Sequence, residues 1–397
     1  MNTKRILFVS LVVVLMLGSL LVASSCQGGK EGEKVFKFAS LTPLSGAWAE
    51  WGFPIQYSLE IAVEDINAAG GIKVGDDYYK IEMVTYDNVG DPTVTASAAR
   101  KAIYDDGIKY LFVTTTDQAA AINELCNDEK VLLFCDGPYR NYIGPQWPYS
   151  FQCWFEFVES EGAMLDYIQQ KYPQYKRVAI MCSDDDRGHT AADDFKQFAP
   201  SRGFEVVDVI FTEAETTDYY SVLTQLLQKG VDIIDVDGHA FASQGYIEKQ
   251  ARELGFKGIF IHPDTLSVPV VSDIAGIGAI EGDIGATQLI EMPADIGKSW
   301  ADQFTQKYGS FEYWPSFKYD TLLLLKAAIE KANTFDTEKV MDELGKVTVN
   351  GLSGPVSFGV NKFTGGIPRS IKLKMYVVQV QNGELVEVYS GFSPLWQ

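Results

Sequence analysis

The chain has 397 residues, too many for one typical hydrophobic core, so two domains are expected. Its 46% hydrophobic and 13% aromatic content is that of a packed globular protein and excludes a disordered one. Acids outnumber bases 53 to 33, a net charge of −20, which argues against nucleic acid or an anionic bilayer as the working partner.

At the amino terminus, Lys4 and Arg5 precede an apolar run over 6–22, then Ala23, Ser24, Ser25 and Cys26. A positive start, an apolar middle and small residues before a cleavage point make an export signal. A cysteine directly after them resembles a bacterial lipoprotein signal over 1–25, with Cys26 acylated as the first mature residue. Plain secretion and a retained membrane anchor are the alternatives. Residues 26–35 are then a polar, glycine-bearing tether. Loss of 1–25 removes two bases and no acid, leaving 31 bases against 53 acids and a net charge of −22.

The next unit is a strand (36–41), a loop broken by Pro43, Ser45 and Gly46, and a helix with apolar residues at Ile55, Leu59, Ala62, Val63 and Ile66. Gly70 and Gly71 stop that helix. A strand at 81–86 follows, then a helix opened by Asp91 as cap with Pro92 in its first turn. Strand 108–113, helix 119–127 and strand 131–135 complete the first series. The second series begins with helix 161–172 and strand 177–182, then a helix carrying Ala191, Phe195 and Phe198. Strand 205–210, helix 218–228, strand 231–236, helix 244–254 and strand 258–261 continue it. Alternation of this kind implies an α/β fold with parallel sheets covered on both faces, and two series imply two sheets, divided near 149–157. Beyond 284, helices fit 297–308, 316–332 and 337–344. Ile371, Leu373 and Met375 alternate, and Asn382-Gly383 suits a hairpin turn.

Several loops carry residues suited to binding. In an open α/β sheet, ligands sit at the carboxyl ends of the strands. Trp48 and Trp51 follow the first strand there, and two tryptophans in one turn suit stacking against an apolar or cationic solute. Thr115, Thr116 and Asp117 lie between a strand and a helix start, where hydroxyls and free amides suit a carboxylate. The same residues also suit simple capping, and the two roles are compatible. Asp136, Gly137, Pro138 and Tyr139 form a loop after the fourth strand that also reads as an ordinary turn. The three histidines, His189, His239 and His262, are widely spaced and Asp184–Asp186 lacks a calcium-loop pattern, so neither metal nor cofactor is expected. Cys126, Cys135, Cys153 and Cys182 form no C-x-x-C pair. They read as buried small hydrophobes, although export permits disulfides.

The ordered motifs SG-x5-G (Ser45, Gly46, Gly52), EIAVEDINAAGGI (60–72), YDNVGDP (86–92), ARKAI (99–103), EGDIGATQ (281–288), KYDTLLLLKAAIEKA (318–332) and GPVSF (354–358) carry a resemblance. They resemble the periplasmic leucine/isoleucine/valine-type substrate-binding proteins of ABC transporters, which have the type I periplasmic binding fold. The resemblance implies two lobes, 36–154 plus 287–355 and 157–284 plus 358–397, joined by a three-segment hinge that closes on the ligand. It implies that Thr116 meets a ligand carboxylate, that Gly137 offers an amide and Tyr139 a hydroxyl, and that Trp51 forms an aromatic wall. It implies that Asp264 pairs with an α-ammonium group, a position that also suits a helix cap. Arg187 and His239 stand where the family commonly has tyrosines. Arg187 then reads either as a partner for an extra acidic ligand group or as neutralising Asp184–Asp186.

The function implied is an exported, lipid-anchored, monomeric receptor at the cell envelope that captures an amino acid or related small solute and delivers it to a membrane permease. An aromatic acid or amide/urea-type solute is the alternative ligand, and a ligand sensor without a transport role is the alternative function. An enzyme is disfavoured: the chain has no G-x-S-x-G, Walker or Rossmann motif and no Cys/His pair. A sensor would need a signalling domain, which the sequence up to Gln397 does not hold.

Overall fold

The computed structural model describes residues 34–137, 140–213, 216–263, 265–287, 296–312 and 314–391. The chain divides into two units at Val35/Phe36, and the described residues from Phe36 onward form the larger, compact one. The expected signal and Cys26 lie outside the described residues. Among the described residues, no helix is long and apolar enough to cross a membrane.

The larger unit holds two sheets. The first contains β1 (Val35–Thr42), β2 (Ile72–Val74), β3 (Asp77–Asp87), β4 (Tyr110–Val113), β5 (Leu132–Cys135), β6 (Ser150–Gln152), β12 (Thr348–Gly351), β13 (Gly354–Gly359) and β14 (Ser370–Lys372). Their order is β12-β13-β14-β6-β5-β4-β1-β3-β2. The second contains β7 (Arg177–Ser183), β8 (Glu205–Thr212), β9 (Ile233–Asp235), β10 (Ile259–His262), β11 (Ile284–Thr287), β15 (Met375–Gln381) and β16 (Glu384–Gly391). Their order is β16-β15-β11-β10-β9-β7-β8. The inner strands run parallel, with Leu41 opposite Val113 and Val113 opposite Cys135 in the first sheet. Such strands are buried on both faces, which is why 110–113 and 132–135 read as unbroken apolar runs.

Helices α1 (Ala49–Ala68), α2 (Pro92–Arg100), α3 (Thr116–Asp128), α9 (Gly297–Tyr308), α10 (Ser316–Ala332) and α11 (Thr337–Leu344) accompany the first sheet. Helices α4 (Phe157–Lys171), α5 (Asp186–Ser201), α6 (Tyr220–Gln228), α7 (Phe241–Glu253) and α8 (Val268–Ala275) accompany the second. In α2, Asp91 caps as expected, its side chain accepting from Thr93 N at 2.7 Å and Val94 N at 2.8 Å. Helix α1 begins earlier than the apolar spacing implied, so Trp51 belongs to the helix itself. Gly52 makes that entry possible, because a Cβ there would stand 1.6 Å from the Pro43 carbonyl oxygen.

The chain passes between the sheets after β6, after β11 and after β14. The last passage corrects an expectation. Residues from 358 onward were assigned to the second lobe, but β13 and β14 pair within the first sheet, and β14 lies parallel to β6. The passage therefore falls at Leu373–Lys374. Cys126, Cys135, Cys153 and Cys182 are buried and unpaired, and burial pushes their thiols upward.

Candidate ligand-binding cleft

A cavity of about 180 Å³ opens where the carboxyl ends of strands from both sheets converge. Its aromatic wall combines Trp48, Trp51, Trp154, Trp314 and Phe317. Trp51 stacks on Phe241 of α7 with ring centroids 4.3 Å apart, and Trp314 lies 4.9 Å from Trp51. Trp154 meets Phe317 edge-on at 4.6 Å. Trp48 is held against Gly90, which has φ +78 and so carries no side chain there without strain. A Cβ at Gly90 would lie 2.6 Å from the indole.

The polar wall is mainly acidic. Asp117, in the first turn of α3, accepts from the Thr115 hydroxyl and from first-turn amides, its own and that of Gln118. Its carboxyl is raised by burial, and Asp185 across the cleft raises it further. Asp185 caps α5 by accepting from Gly188 N at 2.7 Å, while Asp184 meets His189 at 2.9 Å. Glu213, after β8, completes this wall. Asp136 is buried, and burial raises its carboxyl to about 7 although the ion pair with Lys318 of α10 pulls the other way. Thr114 Oγ1 and Ser183 Oγ, both on cavity-lining residues, are buried with no hydrogen-bond partner among the described residues.

Arg187 is the cationic residue lining the cavity. Its Nη2 lies 3.2 Å from Asp237 Oδ1, and both side chains are buried. Asp237 is raised by burial to about 6, against the pull of Arg187. Glu161 and Asp235, buried nearby, are pushed well upward by burial and by neighbouring carboxylates. Gly238, at φ +73, leaves the room that the guanidinium occupies: a Cβ there would lie 2.2 Å from Arg187 Nη1.

Among the residues expected to bind, Trp48, Trp51, Thr115, Gly137 and Arg187 line one cavity. Thr116 is buried one step behind it, so close to Gly137 that a Cβ at Gly137 would meet its Oγ1 at 2.1 Å. His239 is fully buried, 2.7 Å from Thr212 Oγ1, and its ring is lowered to about 4 by burial and by Arg187. Tyr139 and Asp264 lie outside the described residues. Sequence reasoning did not select Trp314, Phe317 or Lys318. The available signal was a tryptophan directly before Pro315 and a long apolar helix.

Two further contacts matter to the cleft region. Glu50 of α1 accepts from Ala242 N in the first turn of α7 at 2.8 Å, and burial raises its carboxyl to about 7. The fold also gathers Glu248, His262 and Asp283, which spacing alone did not reveal. His262 Nε2 lies 3.2 Å from Glu248 and 3.9 Å from Asp283, while Arg252 meets Asp283 at 3.2 Å. Two acids and two bases make this buried group a self-compensating ion network.

A family described as periplasmic binding protein matches residues 35–384 of this chain. The Leu/Ile/Val-binding protein of Citrobacter freundii is 29% identical over 335 residues, covering 82% of this chain and 87% of that protein. A leucine binding protein from Thermotoga maritima superposes with a TM-score of 0.78 at 21% identity, covering 91% of this chain and 99% of the other. A solute binding protein of an ABC transporter from R. palustris, in complex with 4-hydroxybenzoate, superposes with a TM-score of 0.74 at 22% identity, again covering 91% and 99%.

Proposed function

This chain belongs to the periplasmic binding protein family, and we propose that it is the extracytoplasmic receptor of an ABC importer. In this reading it captures an amino acid or related small solute between two lobes and delivers it to a membrane permease. The observation that supports it is the cavity itself: one chamber, floored by the strand ends of both sheets and walled by tryptophans from several elements. We divide the lobes at the three passages, 36–154 plus 296–372 against 157–287 plus 375–391, and three connecting segments make a hinge. Trp48, Trp51, Thr115, Gly137 and Arg187 contact the solute directly, while Thr116 and His239 support them from behind. The receptor has no catalytic role, acts as a monomer, and is tethered to the envelope through Cys26.

A second reading, an aromatic acid or amide-type solute, is favoured by the tryptophan lining. A thermal-shift screen of the refolded, ligand-stripped protein against amino acids, aromatic acids and amides tests both. A ligand of the folded state raises Tm by mass action. Small-angle scattering on any hit should show contraction as the lobes close. A screen with no saturable shift, or a hit that leaves the scattering profile unchanged, would sink the receptor reading.

A further inference from the structure

The cleft brings like charges together. Asp117 comes from the first sheet's helix α3, Asp185 from the cap of the second sheet's helix α5, and these helices pack against each other. Both carboxylates line the same cavity, and Glu213 adds a third charge from the strand β8 side. Two acids from opposite halves repel one another as the halves approach, and a positive group between them would reverse that sign.

The sites that would hold an anion are already filled from within. First-turn amides of α3, where a ligand carboxylate would dock, are taken by the carboxylate of Asp117. The guanidinium of Arg187 is engaged by buried Asp237, with Asp235 and Glu161 in the same electrostatic neighbourhood. Lys318 is committed to Asp136. What stays open is complementary to a cation: indole faces, carboxylates and two hydroxyl oxygens. Ser183 Oγ and Thr114 Oγ1, on residues 2% and 5% exposed, have no partner among the described residues and can each accept an N–H. Aromatic faces attract a cation through the ring quadrupole, most strongly when both are withdrawn from water.

We propose that the cleft selects an organic cation, whose positively charged nitrogen lies between Asp117 and Asp185 while its apolar body packs on Trp48, Trp51 and Trp314, with no carboxylate required. The inference rests on the receptor reading and specifies its solute class.

Two matched sets test it by calorimetry on the stripped protein. One is phenethylamine, phenylalanine and 3-phenylpropanoate; the other is 3-methylbutylamine, leucine and 4-methylpentanoate. In at least one set the amine should bind about tenfold or more tighter than its amino acid, and the acid should bind least. Asp117→Asn and Asp185→Asn should each weaken the amine by roughly tenfold, whereas Asp117→Glu, which keeps the charge, should retain most of the binding. Circular dichroism and Tm confirm that each variant is folded, and the two single variants check one another. An amino acid or acid that matches its amine, or an amine indifferent to both asparagine variants, overturns the inference and leaves the receptor standing. Silence from both amines also overturns it; the receptor reading fails too only if the wider screen finds no solute that closes the lobes.

Discussion

Asp136 and Lys318 show how much one buried side chain can depend on another. Their ion pair lies against the cavity, with the Lys318 ammonium 5.0 Å from the Phe112 ring centre. Removing one partner of a buried pair leaves an uncompensated charge, typically a loss of about 3–5 kcal/mol. Lys318→Met should therefore lower stability by roughly that much at pH 8, and by less at pH 5.5, where Asp136 can fold as the neutral acid. Adding Asp136→Asn should restore most of the loss. Urea denaturation of the three variants at both pH values checks this, and a loss independent of pH would refute the charge argument. Asp136 was visible in the sequence as part of a loop after a strand; Lys318 was not. It sits in an apolar helical run, where a lone lysine reads as solvent-facing, and only the fold, which sets it between the Phe112 ring of β4 and Asp136 after β5, turns it inward. Thr115 and Gly137 were legible because loop position after a parallel strand is itself a geometric statement.

At the scale of elements, periodicity reported conformation well and partnership poorly. Strands and helices of both alternating series formed close to where apolar spacing put them, except that α1 begins earlier, at Ala49. The failure came at 371–375, where Ile371, Leu373 and Met375 alternate as in one strand, but Ile371 and Met375 belong to different sheets and Leu373 lies in the passage between them. A period of two records an extended backbone with one buried face, and says nothing about which sheet covers it. The same holds for α1 and α7, whose meeting no local pattern announces. Glu50 joins them by capping α7, where the helix amides and dipole favour a carboxylate but burial raises its pKa from 4.5 to about 7. If opening the lobes returns Glu50 to water, the closed form binds the extra proton. Closure should then be strongest below pH 4.5, weaken as pH rises toward 7, and level off above it. Inter-lobe energy transfer in the ligand-free protein should show the closure constant falling by about tenfold or more between pH 5 and 7.5. Glu50→Gln should flatten that profile. An unchanged slope in the variant would assign the effect to other groups.

The whole molecule extends the same sign. Burial raises Glu50, Asp136, Glu156 and Glu312 to about 7, Asp237 and Asp320 to about 6, and Glu248 to about 8. Each of these groups binds its proton more tightly folded than unfolded. Each therefore supports the fold fully below its unfolded pKa, near 4, and loses that support as pH rises through the folded value. His262, raised to about 9 by its acidic partners against the opposing effect of burial, acts in the same direction between 6.5 and 9. His239, lowered to about 4, acts oppositely, but only below 6.5. The net charge of −20 reinforces the trend, because self-repulsion grows as carboxyls ionise. Calorimetry without ligand should thus find Tm higher near pH 5.5 than at pH 8, by about 5 °C or more for a chain of this size. The opposite slope would mean that these carboxyls are ionised at low cost, through water or a bound cation. A cationic solute in the cleft adds the same kind of linkage at Asp117, whose carboxyl burial also raises. Adding one should raise Tm by more as pH rises, since the carboxyl of Asp117, raised by burial, gains its charge with rising pH. An anionic solute would reverse that order, so the pH dependence of the ligand-induced shift reports the sign of the solute before its identity is known.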